Sequence, residues 1–319
     1  MIRHFIKNSV VVAGSVGLVL LLLLFAVPRD RNAYLESYRQ KTALLYETPC
    51  PRAVFIGYSQ LAFGLDCKMI ADSTGLNAIN LSLQEGASLR YMAEAYLSGI
   101  RSEGDMVFIQ PSYTADFIDG GNGLQVPLLD VMLISGFQHL SKLNKEQWRL
   151  LLEGVPAVSY RNLVRLLKSP VKGFDTPVSR DYYIWNASGF NEYGDEASHW
   201  MLPAGMEVQG LGVAPPEEVM HVNVDSDFIA WLQEVVATYR SHGARVFIMP
   251  EIGTESSYHT RYSPDFDAAL SSVGLSFMCA PSEMTVSDEY AYNSPQHLNR
   301  EGAAEISSRL IHFIKINNP

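Results

Sequence analysis

The chain has 319 residues, 47% of them hydrophobic, with a formal net charge of −10 and a pI near 5.3. That composition supports one large hydrophobic core. It argues against nucleic acid as a partner, because phosphate binding needs clustered Lys and Arg and none is visible.

Residues Val10 to Val27 form an uncharged run, which as a helix at about 1.5 Å per residue nearly spans a hydrocarbon layer of roughly 30 Å. The expected layout is residues 1–8 as a cytoplasmic end, 9–28 as a single transmembrane anchor in the lipid bilayer, and 29–50 as a juxtamembrane segment. A cleaved signal sequence is the competing reading, but Pro28-Arg29-Asp30-Arg31 follows the run directly in place of small residues. No cysteine stands directly after the run, so a lipoprotein is not expected. Lys and Arg do not settle the orientation, since Arg3 and Lys7 precede the run while Arg29, Arg31, Arg39 and Lys41 follow it.

Helical character around Ala33 to Tyr46 gives way to strand, loop and helix in alternation. Ala53 to Gly57, Asn77 to Leu81, Asp105 to Gln110, Arg245 to Pro250 and Leu275 to Cys279 read as strands. Leu89 to Arg101, Phe228 to His242, which stops at Gly243, and a closing stretch from Arg300 to Ile314 read as helices. Near-continuous apolar strands separated by helices imply an α/β domain over 51–319, a three-layer, doubly wound parallel sheet. Between about 116 and 224 the alternation lapses into helical stretches at Leu128 to Leu140, Lys145 to Leu152 and Tyr160 to Leu167. This reads as a mostly helical insertion, either a cap over a substrate groove or extra packing.

Cys50, Cys67 and Cys279 match neither a zinc-ligand spacing nor a disulfide-dense scaffold. Cys50 and Cys67 flank the first strand and either pair in an oxidising compartment or stay as unpaired thiols, the blander account. No dinucleotide fingerprint, phosphate loop or His-Glu-x-x-His occurs, so no cofactor or metal is expected. His199 lies in a polar and aromatic stretch, Asn191 to Trp200, suited to lining a sugar groove or to ordinary surface packing.

The chemistry is expected at two distant places. Ser59 follows the first strand in Gly57-Tyr58-Ser59-Gln60-Leu61, and His297 precedes the last helix in Asn293-Ser294-Pro295-Gln296-His297-Leu298-Asn299. A serine hydroxyl is a poor nucleophile until an imidazole in hydrogen-bond reach takes its proton, so the two form a testable pair. Taken alone, Ser59 reads as a turn or capping residue, His297 as a packing residue and Asn299 as a helix cap.

These segments, with Asn80-Leu81-Ser82-Leu83-Gln84-Glu85-Gly86-Ala87-Ser88 between them, resemble the SGNH (GDSL-like) hydrolase superfamily. Within it they resemble the membrane-anchored, DltD-like and exopolysaccharide-associated branch. The resemblance implies a flavodoxin-like sheet, Ser59 as nucleophile, His297 as base, and the backbone N–H groups of Ser59 and Gly86 as an oxyanion hole. It departs from the family twice. Gln110-Pro111-Ser112 stands where an Asn usually supplies a third oxyanion donor, and Asn293 and Ser294 stand where an Asp usually precedes the histidine. Asp288 and Glu289 are the carboxylates close in sequence, and Asp195 could approach from the insertion. The function implied is a periplasmic, inner-membrane-anchored O-acetyltransferase or acetylesterase acting on cell-envelope or exported polysaccharide, partnered by a membrane-bound O-acyltransferase. The alternatives are a noncatalytic polysaccharide-binding or assembly component with the same fold, and a purely structural scaffold.

Overall fold

The computed structural model describes residues 2–101, 104–176, 185–201 and 220–318. Its helices are α1 (Ile2–Phe25), α2 (Ser37–Glu47), α3 (Ser59–Gly64), α4 (Cys67–Thr74), α5 (Leu89–Tyr96), α6 (Gln125–Ser135), α7 (Lys145–Lys172), α8 (Ser226–Ser241), α9 (Glu255–Arg261), α10 (Pro264–Ser272) and α11 (Arg300–Asn317). The main strands are β1 (Arg52–Ile56), β2 (Asn77–Asn80), β3 (Met106–Ile109) and β4 (Arg245–Ile248). Short pairs are made by β5 (Gly253–Thr254) with β6 (Thr285–Val286) and by β7 (Ala291–Ser294) with β8 (His297–Leu298).

The four main strands form one parallel sheet in the order β2-β1-β3-β4. Side chains alternate across a strand, and here the alternation separates two apolar cores. Val54, Ile56, Val107 and Ile109 face α5, α6 and α8, whereas Ala53, Phe55, Met106 and Phe108 face α4 and α11. Phe55, Phe108 and Phe247 share a register and stack across three strands with centroids 4.9 and 5.3 Å apart. Every residue of β1 and β3 is buried, as strands covered on both faces require. The expected fifth strand shrinks to a single parallel bridge, Ile248 to Phe277, with Met278 N donating to Ile248 O at 2.8 Å.

α1 is apolar, exposed along nearly all its length, and long enough to cross a bilayer. It begins before the uncharged run because Ile2, Phe5 and Ile6 extend the apolar surface, and it ends at Phe25, ahead of Pro28. The juxtamembrane segment is not a separate linker. Lys41 of α2 is fully buried and donates to the carbonyls of Asn80 and Gly194 at 2.9 and 2.5 Å. Burial lowers its pKa to about 7. Arg52 likewise reaches back to Leu45 O while its guanidinium holds Asp105.

The insertion is helical, but its two expected C-terminal helices are one. α7 runs unbroken for 28 residues through Pro156 and Pro170. Gly154, between the two expected helices, serves helix packing: a Cβ there would lie 2.6 Å from Gln125 O at the start of α6. Residues 177–184 and 202–219 of the expected insertion lie outside the described residues. Cys50, Cys67 and Cys279 are all free.

Candidate active site

β1 delivers the chain to the C-terminal edge of the sheet, where ligands bind in open parallel sheets. Gly57 permits the turn there, because a Cβ would sit 2.6 Å from Leu61 Cδ1 and 3.1 Å from Gln110. Tyr58 anchors it: its hydroxyl donates to Asp116 Oδ1 at 2.7 Å and accepts from Leu89 N at 2.8 Å. Burial pushes the Asp116 carboxyl up to about 8. Ser59 then opens α3.

His297 arrives from the other end of the chain on β8, in the antiparallel hairpin that pairs Ser294 with His297. His297 therefore precedes the last helix on a short strand, and Asn299 caps α11 by accepting from Gly302 N at 2.9 Å. His297 Nε2 lies 2.9 Å from Ser59 Oγ, and its Nδ1 lies 2.7 Å from Asn293 Oδ1. An amide oxygen only accepts, so Nδ1 carries the ring proton and the Nε2 lone pair faces the serine hydroxyl. That is the tautomer a general base needs. Asn293 thus orients the ring as a carboxylate would, without supplying charge for an imidazolium.

The ring is 9% exposed and stacked on Phe63, with centroids 4.3 Å apart and planes at 14°. Phe63 stands four residues after Ser59 in α3, so one helical face carries both the serine and the platform on which the His297 ring stacks. Burial, and secondarily His199, lower the His297 pKa to about 4. The imidazole is neutral at pH 7, which suits a base although it makes a weak one.

His199 is not in a surface groove. It is buried behind Phe63, with Nε2 2.8 Å from Leu298 O and Nδ1 2.8 Å from Glu196 Oε2. Each ring nitrogen thus has a partner, one a carboxylate and the other a backbone carbonyl. Through Leu298 this buried pair clamps the strand that carries His297.

The other expected residues fall as follows. Gly86 lies in the turn after β2, its carbonyl accepting from Leu124 N at 2.9 Å, and a Cβ there would meet Pro127 Cγ at 2.7 Å. Its N–H has no partner among the described residues. Gln110 occupies the place of the absent Asn beside Gly57, but its amide donates to Pro250 O at 3.0 Å. Asp288 is taken up by Ser256, and Asp195 accepts from Cys67 N and Asn80 Nδ2, so neither orients His297. Glu289 is exposed.

One group escaped the sequence reading. Arg261 bonds Glu251 at 2.7 Å and Ser112 Oγ at 3.1 Å, lies 3.7 Å from Glu85, and meets the Gln296 oxygen at 3.1 Å once that amide is turned. It links the residues preceding Gly86 and His297. Its members are scattered from 85 to 296 with no common spacing, so no local signal marks them. Among the described residues no three His, Cys, Asp or Glu side chains converge as a metal site.

Comparison of the chain with protein families, with curated proteins and with solved structures finds no match.

Proposed function

We propose that the chain is a serine-dependent acyl-transfer enzyme with an SGNH-type, flavodoxin-like doubly wound domain, tethered by α1 and facing the periplasm. The observation that carries the reading is the line Ser59 Oγ, His297, Asn293 Oδ1, with both hydrogen bonds under 3 Å and the imidazole tautomer that accepts a proton. Ser59 Oγ attacks an acyl carbonyl as its proton passes to His297 Nε2. The imidazolium then protonates the departing oxygen, leaving an acyl-Ser59 ester. A sugar hydroxyl or water attacks that ester, gives its proton to His297, and Ser59 recovers its own. The N–H groups of Ser59 and Gly86 are the proposed oxyanion donors, of a kind worth about 3 to 4 kcal/mol each in the transition state. An acetyl group, a polysaccharide acceptor and a membrane-bound O-acyltransferase partner complete the reading.

A second reading, a noncatalytic polysaccharide-binding component, is favoured by the neutral Asn293 and by the commitment of Gln110 to Pro250. Turnover of a chromogenic acetyl ester by the protein, Ser59→Ala and His297→Ala separates the two. Loss in both variants is expected; equal turnover in all three defeats the catalytic reading. A periplasm-dependent reporter fused after residue 319 should be active, and its silence beside a working cytoplasmic reporter would refute the exported placement.

A further inference from the structure

The C-terminal half of α7 is an amphipathic surface that the fold leaves uncovered. Tyr160, Leu163, Leu167 and Val171 follow one another at helical spacing and are 69, 37, 71 and 89% exposed, with Leu166 beside them at 43%. Such a stripe normally faces a core. The opposite side of the same turns, Val158, Ser159 and Asn162, is the one packed inward. From Gly154 to Lys172 there is no acidic residue, while Arg161, Arg165, Lys168 and Lys172 give the stretch four positive charges. Arg161 is paired with Asp130, whereas Lys168 and Lys172 make no ion pair among the described residues.

Two contacts fix where this stripe lies relative to α1. Asn162 Nδ2 donates to Leu23 O at 3.0 Å. Just past α7 the chain returns to the exit of α1: Arg165 holds Phe174 O at 2.7 Å, Arg31 N donates to Asp175 at 2.9 Å, and Thr176 N donates to Asp30 at 3.0 Å. Leu23 lies inside the uncharged run, about 6 Å short of its end at Val27. Whatever touches Leu23 sits at that depth, and an interfacial helix buries its apolar face by roughly 5–10 Å.

The geometry points to α7 as a second membrane contact: Tyr160 to Val171 lies in the interface of the leaflet that α1 leaves, its leucines among acyl chains and its lysines at anionic headgroups. The bilayer is the occupant because α7 meets α1 at the depth of its last turns through Asn162, which turns the stripe away from the domain, and because Lys168 and Lys172 on the same stretch, unpaired among the described residues, are cations that attract anionic lipid. The active-site domain is thereby held at two points on the membrane, so it cannot swivel freely about one helix. This rests on the reading of α1 as a span.

The test uses the full chain with Cys50→Ser and Cys279→Ser, Cys67 being buried, reconstituted in vesicles of phosphatidylcholine and phosphatidylglycerol. An environment-sensitive fluorophore is placed in turn through Leu167→Cys, Leu21→Cys in α1 and Ser271→Cys in α10. Lipids carrying a nitroxide near the headgroup should quench the probe at 167 at least about threefold more than the probe at 271, with a blue-shifted emission. Quenching of the probe at 167 by aqueous iodide, with none by lipid, overturns the proposal. A probe at 167 protected from both quenchers reports a second copy of the chain on the stripe and also overturns it. Failure of lipid to quench the probe at 21 removes the span and the proposal with it, while ester turnover, read separately, leaves the catalytic reading standing.

Discussion

Replacing Asn293 by aspartate tests the site at its weakest member. Asn293 Oδ1 accepts from His297 Nδ1–H at 2.7 Å, so the substitution changes an acceptor's charge while keeping its shape. Two unit charges about 4.5 Å apart at an effective dielectric constant near 20 attract by about 4 kcal/mol. Asn293 is exposed, so solvent screening reduces this to roughly half. The His297 pKa, held at about 4 by burial and by His199, should therefore rise by about one to two units. Because the base works only when neutral, activity is lost as pH falls through that pKa, and the acid limb of kcat/KM should move up by the same amount. The carboxylate also stabilises the imidazolium formed during attack. A gain of about 1.5–3 kcal/mol corresponds to roughly 10- to 150-fold in rate at pH 7, well below the about 10⁴-fold seen when the reverse change is made in a Ser-His-Asp protease. The assay is the pH dependence of kcat/KM on a chromogenic acetyl ester. An acid limb that stays within a few tenths of a unit, or a rate that falls with no change in Tm, would show that Asn293 does not partner the reacting imidazole.

The remaining expectations concern the surroundings of the base. His199→Gln keeps a donor for Leu298 O but removes the charge that helps to depress His297; the acid limb should shift upward by less than in Asn293→Asp, as the same pH profile would register. Since the folded state holds His297 near 4 against 6.5 in the unfolded chain, the unfolded state binds more protons in that window. Folding stability should accordingly fall by up to about 3 kcal/mol between pH 6.5 and 4. Urea midpoints measured across that range should show a smaller decline in His297→Gln. Gly86→Ala places a Cβ 2.7 Å from Pro127 Cγ and should cost about 1–3 kcal/mol in thermal unfolding together with a drop in ester turnover; unchanged Tm and turnover would mean that this turn yields freely.

The parallel sheet and the apolar N-terminal helix were legible in the residues themselves. Runs such as Ala53-Val54-Phe55-Ile56 are apolar at every position because both faces of a buried strand meet helices, and the uncharged stretch before Pro28 needs no partner to declare its length. The bracketing of the chain by Ser59 and His297 was also visible, as a coincidence of residue type and flanking strand or helix. What the sequence left open was settled by contacts between segments far apart in the chain. Asn293 could be judged only by which of its amide atoms faces the ring; Asp195 and Asp288, both plausible in sequence, are bound by Cys67, Asn80 and Ser256 instead. Lys145 to Leu152 and Tyr160 to Leu167 read as separate helical stretches, yet α7 runs through Gly154 and Pro156 between them, with Gly154 packed closely on α6. Arg261 had no local signal, since its partners reach 176 residues away to Glu85, and His199, noticed only as part of a polar and aromatic stretch, had its buried place fixed by Leu298, 99 residues on. Periodicity along a chain records which face of an element avoids water, and so it discloses strands, helices and a helix long and apolar enough to cross a membrane; the hydrogen-bonded contacts of the candidate site join elements that only the folded sheet brings edge to edge.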